Sequence, residues 1–146
     1  MAAKKPIGSI TRGTTNPNRL RRVDRYIASL PILRKANPVV VDLGYGASPI
    51  TAVELLDRLR KVNPSVSVVG IEIERERVER GLAVATEQLH FMHGGFETPL
   101  PPQFENADLI RAFNVLRQYD ESAVAAAWAQ MQSRLSSDGL LIEGTC

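Results

Sequence analysis

A chain of 146 residues, 44% hydrophobic and 23% charged, is long enough for one domain with a real core and too short for a cofactor domain plus a separate substrate domain. That composition excludes disordered, collagen-like and disulfide-rich classes, and the single cysteine, Cys146, allows neither an internal disulfide nor a cysteine-based metal cluster. Lys4 and Lys5 lead into no apolar run, and no window approaches the roughly 18 apolar residues that span a bilayer, so a cytoplasmic setting away from membranes is expected.

The net charge is only +2, but it is unevenly placed. Lys4, Lys5, Arg12, Arg19, Arg21, Arg22 and Arg25 face one acid, Asp24. Clustered arginines can neutralise phosphates, which makes RNA a candidate partner of this segment. The lack of interleaved aromatic residues and the balanced charge elsewhere favour a solvated arm. Residues 1–18 carry no apolar periodicity and read as arm or loop; Leu20, Val23, Ile27 and Leu30 then recur at helical spacing until Pro31. Residues 1–37 are thus set apart as a basic arm and helix, and residues 38–146 as a separate domain.

Val39-Val40-Val41-Asp42-Leu43 is a β-branched run without alternation, as expected of a parallel strand buried on both faces. Ser48-Pro49 has the look of a helix start with a capping hydroxyl, and Ile50, Val53, Leu56 and Leu59 continue that helix. Asn63-Pro64-Ser65 breaks it before a second strand from Val66 to Glu72. Val78, Leu82, Ala85 and Leu89 predict a helix from Arg75 to Leu89, and a short third strand follows from His90 to His93. Pro99, Pro101 and Pro102 enforce a loop before a fourth strand that begins at Ala107. Glu121 to Ser136 reads as a helix with Val124, Trp128, Met131 and Leu135 inward, stopped by Gly139; Leu140 to Glu143 is the fifth strand. Strands alternating with helices imply a doubly wound α/β domain, with a mostly parallel sheet and helices on both faces.

The chemistry concentrates in Asp42-Leu43-Gly44-Tyr45-Gly46, where a strand enters a small-residue turn and then a helix, so that a ligand can lie against backbone amides. Gly44 and Gly46 remove side chains at the closest approach. Glu72, at the end of the next strand, can accept hydrogen bonds from both hydroxyls of a ribose, which points to an adenosine-bearing cofactor. A tight turn that merely suits packing and a solvated acid beside Glu74 and Arg75 are the plainer alternatives. His90 and His93 fall short of a metal constellation, and no metal is expected.

Val40-Val41-Asp42-Leu43-Gly44-Tyr45-Gly46, followed by Val68-Val69-Gly70-Ile71-Glu72-Ile73-Glu74, closely resembles the first two motifs of class I S-adenosylmethionine-dependent methyltransferases, and the similarity extends from about Pro38 onwards. The resemblance implies a Rossmann-like sheet of order 3-2-1-4-5 and S-adenosylmethionine as cofactor. Asp42, Gly44 and Gly46 would lie under its amino-acid end, and Glu72 would hold its ribose. The family often has Gly-Asp after the third strand, where this chain has Gly94-Gly95-Phe96-Glu97; Phe96 could wall the adenine and offer it a backbone amide. In the fourth-strand region, Asn114 could orient an acceptor or cap a turn, and Arg111 could be an acceptor-side charge or a surface residue. The Asn/Asp-Pro-Pro-Tyr/Phe signature of many nitrogen methylators is absent.

The implied activity is methyl transfer to an unidentified acceptor, with a small molecule preferred. Positioning supplies most of the catalysis of such a displacement, so no triad or metal set is required. The family continues past the fifth strand with a helix and an antiparallel strand pair, so an incomplete domain is expected, with Leu140-Leu141-Ile142 as an apolar edge that a homodimer would hide. The alternatives are a truncated, non-catalytic methyltransferase-like module and a nicotinamide-dependent oxidoreductase; Ser48, where a third glycine would stand, speaks against the latter.

Overall fold

The β-branched run at 39–43 becomes the central strand of a sheet because every residue in it is buried, with partners on both sides. The computed structural model describes residues 6–11 and 16–145; Lys4, Lys5, Arg12 and Cys146 lie outside them. Among the described residues there are five strands, β1 (Val39–Leu43), β2 (Ser67–Glu72), β3 (Leu89–His93), β4 (Ala107–Phe113) and β5 (Leu135–Gly144). All pair in parallel in the order β3-β2-β1-β4-β5, as expected from the sequence.

Four α-helices among the described residues, α1 (Arg21–Ala28), α2 (Ile50–Leu59), α3 (Arg75–Leu82) and α4 (Glu121–Gln132), cover the two faces of the sheet. Val40, Val68 and Leu109 face a core filled by Ile27 of α1, Leu55 and Leu59 of α2 and Val78 of α3. Their strand neighbours Val41, Val69 and Ile110 face the opposite core, closed by Ala127 and Met131 of α4. The period-2 alternation of each strand therefore feeds two separate apolar layers. Through Ile27 and the following 3-10 turn with Ile32 and Leu33, α1 shares the first of these cores. No described helix is long and apolar enough to cross a membrane.

Several boundaries differ from the sequence-based expectation. Helix α3 stops at Leu82, whose side chain is 54% exposed, and Leu89 opens β3 instead of closing the helix. Gly81 packs flat on the Phe91 ring, and mutual backbone bonds between Thr86 and Leu89 turn the chain back into the sheet. Helix α4 ends at Gln132, because Arg134 already accepts a bond from the Ala107 amide and Leu135 pairs with Ala107. Gly139 consequently lies within β5, beside a register shift, and Ser136 anchors this irregular start by donating to Asp108 at 2.8 Å. Trp128 is 42% exposed rather than inward, and its indole N–H donates to Glu143. Helix α2 takes Pro49 at its N-cap position with no side-chain cap, so the Ser48 hydroxyl does not cap it.

Candidate functional site

At the C-terminal end of β1 the chain turns through Gly44 and Gly46, both at positive φ, +72° and +101°. Gly44 donates its amide to the Ile71 carbonyl at 2.7 Å, and a Cβ there would stand 2.6 Å from the Val115 side chain. Only glycine satisfies both the backbone angle and the close approach. Tyr45 turns inward between them: its hydroxyl donates to the Arg77 carbonyl at 2.8 Å and its ring meets Phe91 edge-on at 5.4 Å. Burial, reinforced by the negative charge of Glu72, raises the Tyr45 hydroxyl well above its ordinary pKa.

Glu72, the last residue of β2, is 1% exposed. Arg77, in the first turn of α3, donates to its carboxylate at 2.9 Å, and the Gly46 amide also points at it. Burial raises the Glu72 pKa above the ordinary value, and the attraction of Arg77 and these two hydrogen bonds oppose that rise without cancelling it. Glu72 thus stands beside the glycine turn, in the lining of a cleft. Gly94, Gly95 and Phe96 form the next wall, and the Phe96 ring meets Tyr119 edge-on at 5.4 Å.

Asp42 stands elsewhere. It pairs in register with Arg111 of β4, and both side chains reach toward α1 and α2. Its carboxylate accepts from the Thr51 hydroxyl at 2.8 Å and from the Arg111 guanidinium at 2.9 Å. Arg111, fully buried, is neither an acceptor-side charge nor a surface residue: it also bridges to Asp24 of α1, which Arg58 of α2 binds at 2.6 Å. Burial disfavours the Arg111 cation, but Asp42 and Asp24 more than offset this and raise its pKa. Asn114 follows β4 with φ +62° and donates its amide to the Gly144 carbonyl at 2.8 Å; it does not line the cleft. His93 lies 2.9 Å from the Ile73 carbonyl, His90 meets Phe104 edge-on, and among the described residues no three His, Cys, Asp or Glu side chains converge to hold a metal.

The sequence did not reveal that residues 6–11 lie in this cleft. The Ile7 carbonyl accepts from the Phe96 amide at 2.8 Å, the Ser9 amide donates to the Tyr119 hydroxyl at 2.6 Å, and Arg77 donates to the Thr11 carbonyl at 2.9 Å. The cavity left between this segment, Gly44, Glu72 and Phe96 is about 20 Å³, the space of one water. Arg77 and Tyr119 were missed as well. Arg111 had carried a signal, since a cation inside the apolar stretch Leu109-Ile110-Arg111-Ala112-Phe113 implies a buried partner.

No protein-family model and no curated protein sequence matches the chain. Solved structures do, at low identity. A chain from the complex between a Haloferax volcanii methyltransferase activator and a candidate methyltransferase superposes with a TM-score of 0.61 at 20% identity, over 85% of this chain and 51% of that one. Magnesium protoporphyrin IX methyltransferase from Synechocystis, with bound S-adenosylhomocysteine, gives 0.60 at 16% identity, over 80% and 50%. Human N-acetylserotonin methyltransferase in complex with S-adenosylmethionine gives 0.60 at 20% identity, over 85% and 34%. This chain thus spans about half or less of the length of these proteins. It has the Rossmann-like fold of the class I S-adenosylmethionine-dependent methyltransferases.

Proposed function

We propose that this chain binds S-adenosylmethionine at the C-terminal ends of β1, β2 and β3 and serves methyl transfer to a small-molecule acceptor. The observation that carries this reading is Glu72, a buried carboxylate at the end of β2 that receives the amide of Gly46 from the glycine turn. The turn at Gly44 and Gly46 presents no side chain, and Phe96 in the cleft wall supplies an aromatic ring and, once the Ile7 carbonyl leaves it, a backbone amide. Structural neighbours with this fold hold S-adenosylmethionine or S-adenosylhomocysteine.

The cofactor supplies a sulfonium methyl group open to in-line displacement. Glu72 accepts the ribose hydroxyls, the turn at Gly44 and Gly46 lets backbone approach the amino-acid end, and Phe96 walls the adenine. Asp42 acts one step behind, because its bonds to Thr51 and Arg111 fix the end of β1 against the start of α2. Asn114, just past the C-terminal end of β4 and outside the lining of this cleft, is the candidate to orient an acceptor that approaches from that side. Arg21, Arg22 and Arg25 project to solvent from α1 and none lines the cleft, which supports a small acceptor over RNA. Leu140 on the sheet edge and Trp128 beside it, each 42% exposed, support association of two copies along β5.

Calorimetric titration with S-adenosylhomocysteine, alongside NAD and the Glu72→Ala variant, tests the reading. Saturable binding of the first ligand, lost in the variant, is expected. Preference for NAD, or binding that survives unchanged in Glu72→Ala, overturns it.

A further inference from the structure

Residues 6–11 lie across the cleft where the adenosine half of the proposed cofactor would lie, and they bond groups on its walls. The Ile7 carbonyl takes the Phe96 amide at 2.8 Å, the donor available to an adenine ring nitrogen. On the other side of the same residue, the Ile7 amide donates to the Glu97 carboxylate at 2.8 Å. Thr11 offers its carbonyl and hydroxyl to Arg77, at 2.9 and 3.1 Å, and so binds the cation that neutralises Glu72. The fit depends on two glycines. A Cβ on Gly95 would collide with the Ile7 carbonyl, and Gly8, at φ +135°, lies within 3.2–3.5 Å of Tyr119, Ile73 and Phe96 when a Cβ is placed on it.

We infer that this segment is an autoinhibitory strap: it competes with the nucleoside for the cleft, and its release admits the cofactor. The inference rests on the proposed cofactor reading. A cavity of about 20 Å³ excludes a nucleoside while the strap is seated, so the two cannot occupy the cleft together. The strap is also weakly held for its position. Its bonds to Glu97 and Tyr119 lie at an exposed rim, those of Thr11 to Arg77 are half-buried, and Ile7 and Ile10 remain 46% and 57% exposed, so little apolar surface resists its departure. A lid designed to seal a ligand in would turn those isoleucines inward. With the strap seated most of the time, apparent affinity is the intrinsic affinity reduced by the open fraction.

The test uses the full chain, Gly8→Val and Ile7→Pro variants, S-adenosylhomocysteine calorimetry and amide hydrogen exchange. Gly8→Val places a branched side chain at positive φ against Tyr119; Ile7→Pro removes the bond to Glu97. Both are expected to bind about tenfold more tightly or better than the unmodified chain. In the unmodified chain, saturating ligand is expected to speed exchange of the Ile7 and Ser9 amides. Equal or weaker binding by variants whose strap amides exchange freely, or slower exchange at Ile7 and Ser9 when ligand is added, overturns the strap while leaving the cofactor reading intact. No binding at all by a folded variant with a free strap sinks the cofactor reading, and the strap falls with it.

Discussion

Asp42 and Glu72 lie in the C-terminal halves of adjacent strands, both buried and both facing a cation, yet they sit in different kinds of surroundings. Asp42 belongs to a closed circuit: Thr51, Arg111, Asp24 and Arg58 join β1, α2, β4 and α1 inside the protein. Glu72 belongs to an open one. Its partner Arg77 divides its remaining donors between Glu74 and Thr11, and Thr11 lies on a segment that crosses the rim of a cleft. A buried charge needs partners wherever it is, because desolvation is severe without them. Where the partners all come from the scaffold, the acid sets structure. Where the partnering cation shares its donors with a segment at a cleft rim, the acid is placed to meet a ligand.

Breaking the closed circuit should have the largest effect. Arg111→Met leaves Asp42 with only Thr51 and removes one of the two arginines on Asp24, so unfolding free energy is expected to fall by about 3–5 kcal/mol in denaturant titration. Adding Asp42→Asn should recover part of that loss, since the neutral amide no longer needs a cation; strict additivity of the two substitutions would show that the pair is not coupled. The next effect belongs to the turn that joins the two regions. Gly44→Ala forces an alanine to φ +72° against Val115, a loss of about 1–3 kcal/mol that a thermal melt would register, and a variant as stable as the parent would contradict the close approach.

The open circuit was the more legible in sequence, for a physical reason. β1, the glycine turn and β2 with its terminal acid are local patterns, each fixed by residues within a few positions, and the parallel order of the sheet follows from their alternation with helices. The closed circuit depends on register: Asp42 and Arg111 are 69 residues apart in sequence and meet only because β1 and β4 pair as they do. The strap was invisible for the same reason, as Ser9 finds Tyr119 across 110 residues with no periodicity to announce it. Helix ends failed differently. The spacing of Val78, Leu82, Ala85 and Leu89 continues a helical period across a turn, while the contact that ends the helix, Gly81 on Phe91, is tertiary. Trp128 was assigned inward by the same rule, although Ala127 and Met131 already close that core.

The finest distinction between the two acids is their response to pH. In the proposed complex the ribose hydroxyls donate to both oxygens of an ionised Glu72, and protonation turns one of those acceptors into a donor. Since burial raises the Glu72 pKa above its ordinary 4.5, affinity for S-adenosylhomocysteine should hold steady near neutrality and decline on acidification through a midpoint above 4.5. The same shift acts with opposite sign on the unliganded fold. A carboxylic acid with a raised native pKa contributes stability that is complete below its unfolded pKa and is lost as pH rises through the native one, so mild acid favours the empty fold through Glu72 while weakening the ligand. Glu72→Gln keeps an acceptor oxygen for Arg77 and should give weak binding with a flat profile over that window. If the parent is equally flat, Glu72 does not touch the ribose, and the open circuit serves the strap alone.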